Sequence, residues 1–194
     1  MGRTLRIAAL TAIGLGIVTG TASAEQERYI FDKAHTNILF FVDHLGFSKM
    51  NGEFHEYDGE FIFDREDPTR SSVEVTIETT SVDTDHDELN AHLRTADFFD
   101  SANHPTMTFK STAIERTGDD TALITGDLTM LGVTKPVTLD VTFNKADVHP
   151  VNQKYIAGFS GSTTIKRSDY GMTFLVPAVG DEVKVVLEVE GVRQ

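Results

Sequence analysis

Beyond its first segment, the chain alternates apolar and polar residues with a period of two, the mark of strands wetted on one face. Val73, Val75 and Ile77 alternate with Ser72, Glu74, Thr76 and Glu78. Val137, Leu139, Val141 and Phe143 alternate with Thr138, Asp140 and Thr142, and Val183, Val185, Leu187 and Val189 form a similar series. Ile38, Phe40, Val42 and His44 share one face of an earlier segment, although Leu39 and Phe41 make its other face apolar too. Weaker strand patterns cover 53–57, 59–63, 106–114, 122–130 and 155–166. Turn chemistry separates them at Asp64–Pro68, Thr117–Asp120 and Leu131–Pro136. Many strands at short spacing predict an all-β antiparallel sandwich or barrel in a single domain.

One stretch breaks the alternation. Between Asp85 and Asp100, Leu89, Leu93 and Ala96 fall at helical spacing, with Asp87 and Glu88 where negative charge suits a helix N-terminus. The spacing predicts a short helix over Asp87–Arg94, inside a helical excursion running to about residue 100. An irregular segment through Phe98 and Phe99 follows, and His104-Pro105 leads into the next strand.

The first 24 residues differ from the rest. Met1–Arg6 carries Arg3 and Arg6 and no acid, Ile7–Gly20 is small and apolar, and Ala22-Ser23-Ala24 precedes Glu25. This layout predicts a secretory leader over residues 1–24, cleaved after Ala24, and a mature domain over 25–194. Roughly 14 apolar residues fall short of the ~20 needed to span a bilayer, so stable membrane insertion after cleavage is not expected.

The chain holds 17 basic and 30 acidic residues, a net charge of −13 that becomes −15 once Arg3 and Arg6 are removed. Such a surface repels nucleic acid and anionic headgroups, so no nucleic-acid partner is expected. Cysteine is absent, which excludes thiol chemistry, zinc–thiolate sites and attached c-type haem.

The search for catalytic or metal motifs returns none. Asp83-Thr-Asp85-His-Asp87 opens like a calcium loop but has Glu88 and Arg94 where that loop needs Gly and Glu. His86 and His92, six apart, would fall on different helix faces and read as exposed or hydrogen-bonded histidines. Gly158-Phe-Ser160-Gly161-Ser162 lacks the second glycine of a nucleophile elbow and runs into strand-like residues. What remains is an apolar surplus that includes 13 phenylalanines. A closed barrel of about eight strands either packs its interior or leaves room for one small ligand, and the pattern alone leaves both open.

Several segments, in order along the chain, resemble the YceI-like family. They are Tyr29–His44, with an acid, His35-Thr36, alternating apolars and a second His; Ser81–Thr84; Ala91–Asp100; His104–Ser111; Gly126–Thr129 with Leu131–Val137; and Ile165–Met172. One departure is Leu89-Asn90, where the family pattern has Arg-Asp.

The resemblance implies an extended eight-stranded, lipocalin-like antiparallel barrel in a periplasmic protein. It also implies a long apolar tunnel for a polyisoprenoid or prenylated quinone or phenol, with no catalytic residues, metal or cofactor. Leu93, Phe98 and Phe99 would pack against the barrel or across its end. On this reading the tunnel wall is assigned to Ile38, Phe40, Val42, Val75, Ile77, Phe109, Leu139, Val141, Phe159 and Ile165. One register slip in the first strand would exchange Phe40 for Phe41. Met107 and Met172 would adapt to an irregular tail. Headgroup contacts are assigned to His44, Arg167 and Tyr170, against the alternative that Arg167–Asp169 is a structural turn. Two other readings stay open: a different amphiphile such as a fatty acid or amide, and an enzyme acting on a prenylated substrate. A homodimer is open alongside a monomer.

Overall fold

The computed structural model describes residues 26–194; the leader and its cleavage point lie outside the described residues. Eleven strands form the wall: β1 (Glu27–Phe31), β2 (Asn37–His44), β3 (Ser48–Phe54), β4 (Tyr57–Phe63), β5 (Ser72–Glu78), β6 (Val82–Asp83), β7 (Thr106–Arg116), β8 (Thr121–Met130), β9 (Val133–Val148), β10 (Tyr155–Lys166) and β11 (Val179–Arg193). The helix α1 spans Asp87–Leu93 between β6 and β7.

These eleven strands make eight staves, because three staves are broken. β11 pairs with β2 along Val179–Glu188 and with β1 along Gly191–Arg193, so β1 and β2 are two halves of one stave. β3 pairs with β2 while β4 pairs with β1, and β6 pairs with β3 while β5 pairs with β4. β7 to β11 then follow as a meander, and the β1–β11 pairing closes an eight-staved, up-and-down antiparallel barrel, as predicted. The ladder closes through β1 and β11, while β3 pairs on its outer side only at Glu53 and Phe54, with the two-residue β6, whose own outer side pairs with no strand among the described residues.

The breaks are held by side chains that replace missing backbone pairs. At the first, the Thr36 hydroxyl accepts from the Glu190 amide at 3.2 Å and lies 3.3 Å from the Glu190 carbonyl. Tyr57 donates to the Thr36 carbonyl at 2.6 Å, while Asp32 accepts from the Ala34 amide and pairs with His35 Nδ1 at 3.0 Å. The acid–His–Thr motif thus turns the chain within a stave.

The turn predicted over Leu131–Pro136 shrinks to Leu131-Gly132, both with positive φ. Val133–Pro136 is strand, with Pro136 opposite Asp127. Pro136 is exposed and its ring fixes φ in a range that extended backbone tolerates, so only the loss of one donor distinguishes it.

Two ends are distinct. Strand directions bring the 44–48 hairpin, α1 and its following turns, Leu131-Gly132 and the 167–178 loop to one end, called here the helix end. The opposite, far end gathers the 64–71, 117–120 and 149–154 connections.

Candidate ligand cavity

The period-two pattern puts one face of every stave into the barrel, where the apolar side chains enclose a cavity of about 510 Å³. That volume lies within the range of small-molecule sites. All ten residues assigned to the wall line it: Ile38, Phe40, Val42, Val75, Ile77, Phe109, Leu139, Val141, Phe159 and Ile165. Phe40 faces inward and Phe41 does not, because Phe40 pairs with Gly52 and Val185 in the register that buries Ile38. Met107 and Met172 also line the cavity.

An interior this rich in phenylalanine stays hollow because several rings lie flat over glycines of nearby staves. A Cβ at Gly52, Gly59, Gly126 or Gly191 would overlap the ring of Phe40, Phe31, Phe109 or Phe61, respectively. Each ring therefore spreads along the wall instead of across the lumen. Gly161 differs: it lines the cavity, and a Cβ there would find its nearest neighbours, Leu187 and Val141, at ordinary contact distances of 3.6–3.7 Å.

At the helix end, Leu93, Phe98 and Phe99 line the cavity from the excursion, as expected. The Phe99 ring meets Phe54 edge-on at 5.4 Å, and Phe98 meets Phe174 of the 167–178 loop at 5.6 Å. α1 ends at Leu93 with Arg94 as its cap, and turns carry the chain on to Asp100. His86 caps the helix, its Nδ1 accepting from the Leu89 amide at 3.3 Å, and His92 pairs with Asp97 at 3.1 Å. Both are structural.

The Leu89-Asn90 departure has a local reason. Asn90 is buried; its Oδ1 accepts from the Thr84 amide and hydroxyl, and its Nδ2 donates to Asp83 at 2.6 Å. An aspartate could not donate and would set two carboxylates face to face.

The three headgroup candidates sit less favourably. His44 and Tyr170 are not among the lining residues. His44 closes the β2–β3 hairpin through its carbonyl, and Tyr170 is buried in the loop, where desolvation and then Asp169 push its phenol pKa up. Arg167 does reach the cavity. Its guanidinium donates to the carbonyls of Gly180, Met172 and Val179 at 2.8, 3.1 and 3.0 Å, so it ties the loop to β11. Burial lowers its pKa, opposed by Asp181. The structural-turn alternative describes the segment.

Sequence reasoning missed the polar end of the cavity. Arg65, Ser71, Ser72, Arg116, Asp119, Asp120 and Thr121 line it at the far end. Arg65 Nη1 donates to the Tyr155 hydroxyl at 2.6 Å, and Arg116 Nε donates to the Gly118 carbonyl at 2.7 Å. The one available signal was the pair of arginines at the two connections already marked as turns, Arg65 inside one and Arg116 beside the other.

No histidine is among the cavity-lining residues. The His–carboxylate pairs at His35–Asp32, His55–Asp83 and His92–Asp97 lie in the kinks and the helix end. Asp32, His35 and Glu190 place ligand atoms within 4.8 Å of one another, a geometry able to take a cation. The hydrogen bond and charge of Asp32, with Glu190 adding, hold the His35 pKa above its ordinary value.

Two aspartates make the helix end acid-sensitive. Hydrogen bonds from Asn90, His55 and the Asp85 amide hold Asp83 below the usual 3.8, and the Ser168 amide and hydroxyl do so for Asp181. A carboxyl depressed in the folded state stabilises above its unfolded pKa, and that contribution fades as pH falls through the folded value. Acidification below the ordinary carboxylate range is therefore expected to loosen α1 and the 167–178 loop. Amide exchange resolved along the chain checks this; unchanged protection of both segments on acidification would refute it.

The YceI-like domain family matches residues 29–191. A UPF0312 protein of Ectopseudomonas mendocina is 42% identical over 188 residues, covering 96% of this chain and 98% of its own. The crystal structure of Burkholderia cenocepacia BcnA superposes with a TM-score of 0.76 at 25% identity, covering 82% of this chain and 98% of that one. A polyisoprenoid binding domain from Saccharophagus degradans shares the fold, with a TM-score of 0.67 at 14% identity, over 88% of this chain and 100% of its own. A hollow eight-staved barrel and a match along nearly its whole described length place the chain in the YceI-like family.

Proposed function

We propose that the chain is an exported, non-catalytic carrier that holds a polyisoprenoid or prenylated quinone or phenol in the barrel cavity, for transport or storage in the cell envelope. The observation that carries this reading is the apolar cavity itself, about 510 Å³ inside a closed wall. One five-carbon isoprenoid unit contributes roughly 3–4 kcal/mol on burial, at about 0.8 kcal/mol per CH₂-sized group. Ordering the tail and losing translational freedom offset part of it. The ten wall residues would contact the tail, and the polar end would rest at the far rim, where Arg65 and Arg116 bring cationic groups to the cavity. Support also comes from the fold shared with the Saccharophagus degradans domain, which is described as polyisoprenoid binding. Export through the leader would place the carrier in the periplasm.

The test is to express the full chain with its leader, purify it from the exported fraction without detergent, and analyse an organic extract by mass spectrometry. A polyprenyl compound near one per protein is expected, with residue 25 as the mature N-terminus. A fatty acid or amide at that stoichiometry would replace the ligand class. An empty extract, with no thermal stabilisation by added prenylquinones, would overturn the carrier reading.

A further inference from the structure

We propose that the helix end of the barrel is a docking surface for the face of a net-neutral lipid bilayer, through an apolar rim made of Leu45, Phe47, Phe174 and Leu175. The inference rests on the carrier reading for its purpose, but not for its observations.

All four side chains are exposed, Phe47 at 87%, Leu175 at 52%, Leu45 at 47% and Phe174 at 36%. They come from two connections that touch: His44 pairs with Val179 beside the hairpin turn, and Phe174 meets Phe98, a cavity-lining residue, edge-on. The rim is therefore continuous with the cavity wall. Exposure of one apolar side chain needs no explanation, but a cluster at the end of a lipid-sized cavity does.

Backbone strain is an independent observation. Leu45 and Leu175 hold φ at +59° and +56°, in the left-handed region that a bulky side chain resists. At Leu45-Gly46 the hairpin turn has positive φ at both positions, where asparagine then glycine would be relaxed. Leu131, with φ +52°, is also left-handed, but it packs against the core. Leu45 and Leu175 have no such compensation: each combines strain with exposure, and each would be replaced without loss by asparagine if folding were their only task.

Charge selects the kind of bilayer. Exposed Asp43 beside the hairpin, Asp169 in the loop and Asp85, Asp87, Glu88 and Asp97 in the neighbouring excursion outnumber exposed Lys49, Arg94 and Lys166 at this end. An anionic surface would be repelled, whereas a zwitterionic one admits the apolar rim. A lipid drawn head first through this end would leave its tail along the wall and its polar end at the far rim.

The experiment is flotation of the mature protein with phosphatidylcholine vesicles, compared with the triple variant Leu45→Asn, Phe47→Ser, Leu175→Asn. The protein is expected to float and the variant to partition at least tenfold less, with an unchanged or higher thermal midpoint because asparagine tolerates positive φ. Adding phosphatidylglycerol to the vesicles is expected to weaken binding at low salt. Equal flotation of both proteins, or no flotation of the parent, would overturn the proposal. So would a dimer in solution that the variant splits, since the rim would then belong to a second copy. Prenylquinone delivered from ethanol separates the two readings. If docking alone fails, the parent protein takes it up but does not float; if the carrier reading alone fails, it floats but takes up nothing.

Discussion

Replacing Gly161 with phenylalanine is expected to weaken lipid binding about a hundredfold while leaving the barrel folded. Gly161 lines the cavity on β10, and a Cβ there meets Leu187 and Val141 at ordinary contact distances of 3.6–3.7 Å. The first atom of a side chain fits without strain, and the ring beyond it enters the lumen. Displacing a single isoprenoid unit removes roughly 3 kcal/mol of burial, about a hundredfold in Kd, since each 1.4 kcal/mol is a factor of ten. Stability should move by less than about 1.5 kcal/mol, because the ring replaces empty volume instead of occupied volume. Prenylquinone titration paired with thermal unfolding reads both quantities. Unchanged affinity would mean that the ligand sits elsewhere. Gly161→Leu, a smaller plug, should give an intermediate loss and guards against a folding defect in the larger variant.

Phe61→Ala is expected to have the largest effect on stability. The Phe61 ring stacks on Tyr29 at 4.8 Å and 9°, meets Phe159 edge-on at 5.4 Å and covers Gly191 of β11. Truncation strips this contact from three staves at once, where β1 closes the barrel against β11. Phe-to-Ala changes in packed cores cost about 3–5 kcal/mol, and in a domain of this size each 1 kcal/mol lowers Tm by roughly 2–4 °C. A fall of about 6–20 °C is therefore the expected outcome of a thermal melt. A change under about 2 °C would show that the closing seam does not depend on this ring. The variant also enlarges the cavity next to the tail wall, so bound ligand should recover part of the loss through mass action.

The wall of the cavity was legible from the chain alone because side chains in a strand alternate faces. Once Val75 or Val141 is apolar among polar neighbours, its face is decided. β2 was the ambiguous case, apolar on both faces, and the resemblance chose Phe40 over Phe41 without a local reason. The register against Gly52 supplies one, and it belongs to two strands, not one.

The ends of the barrel were harder to read. His44, Arg167 and Tyr170 carry the chemistry of headgroup contacts, yet Arg167 spends its donors on three backbone carbonyls that only the folded loop brings near it. Arg65 and Arg116 looked like ordinary turn residues, and their convergence on the cavity depends on staves far apart in sequence. The stave breaks were likewise hidden: Thr36 completes a ladder at Glu190, 154 residues away.

By itself, then, the sequence determined the strand-rich class, the inward face of the plainly alternating strands, the helical excursion with Asp87 and Glu88 at its start, and the resemblance to the family. The first three follow from periodicity or composition within a short window, the last from motifs met in order along the chain. Only the tertiary structure decided that the interior is hollow, which end is polar and where the strained leucines cluster. Those depend on cross-strand register, through which a phenylalanine on one stave finds the glycine that lets its ring lie flat, and no local pattern encodes a partner that distant.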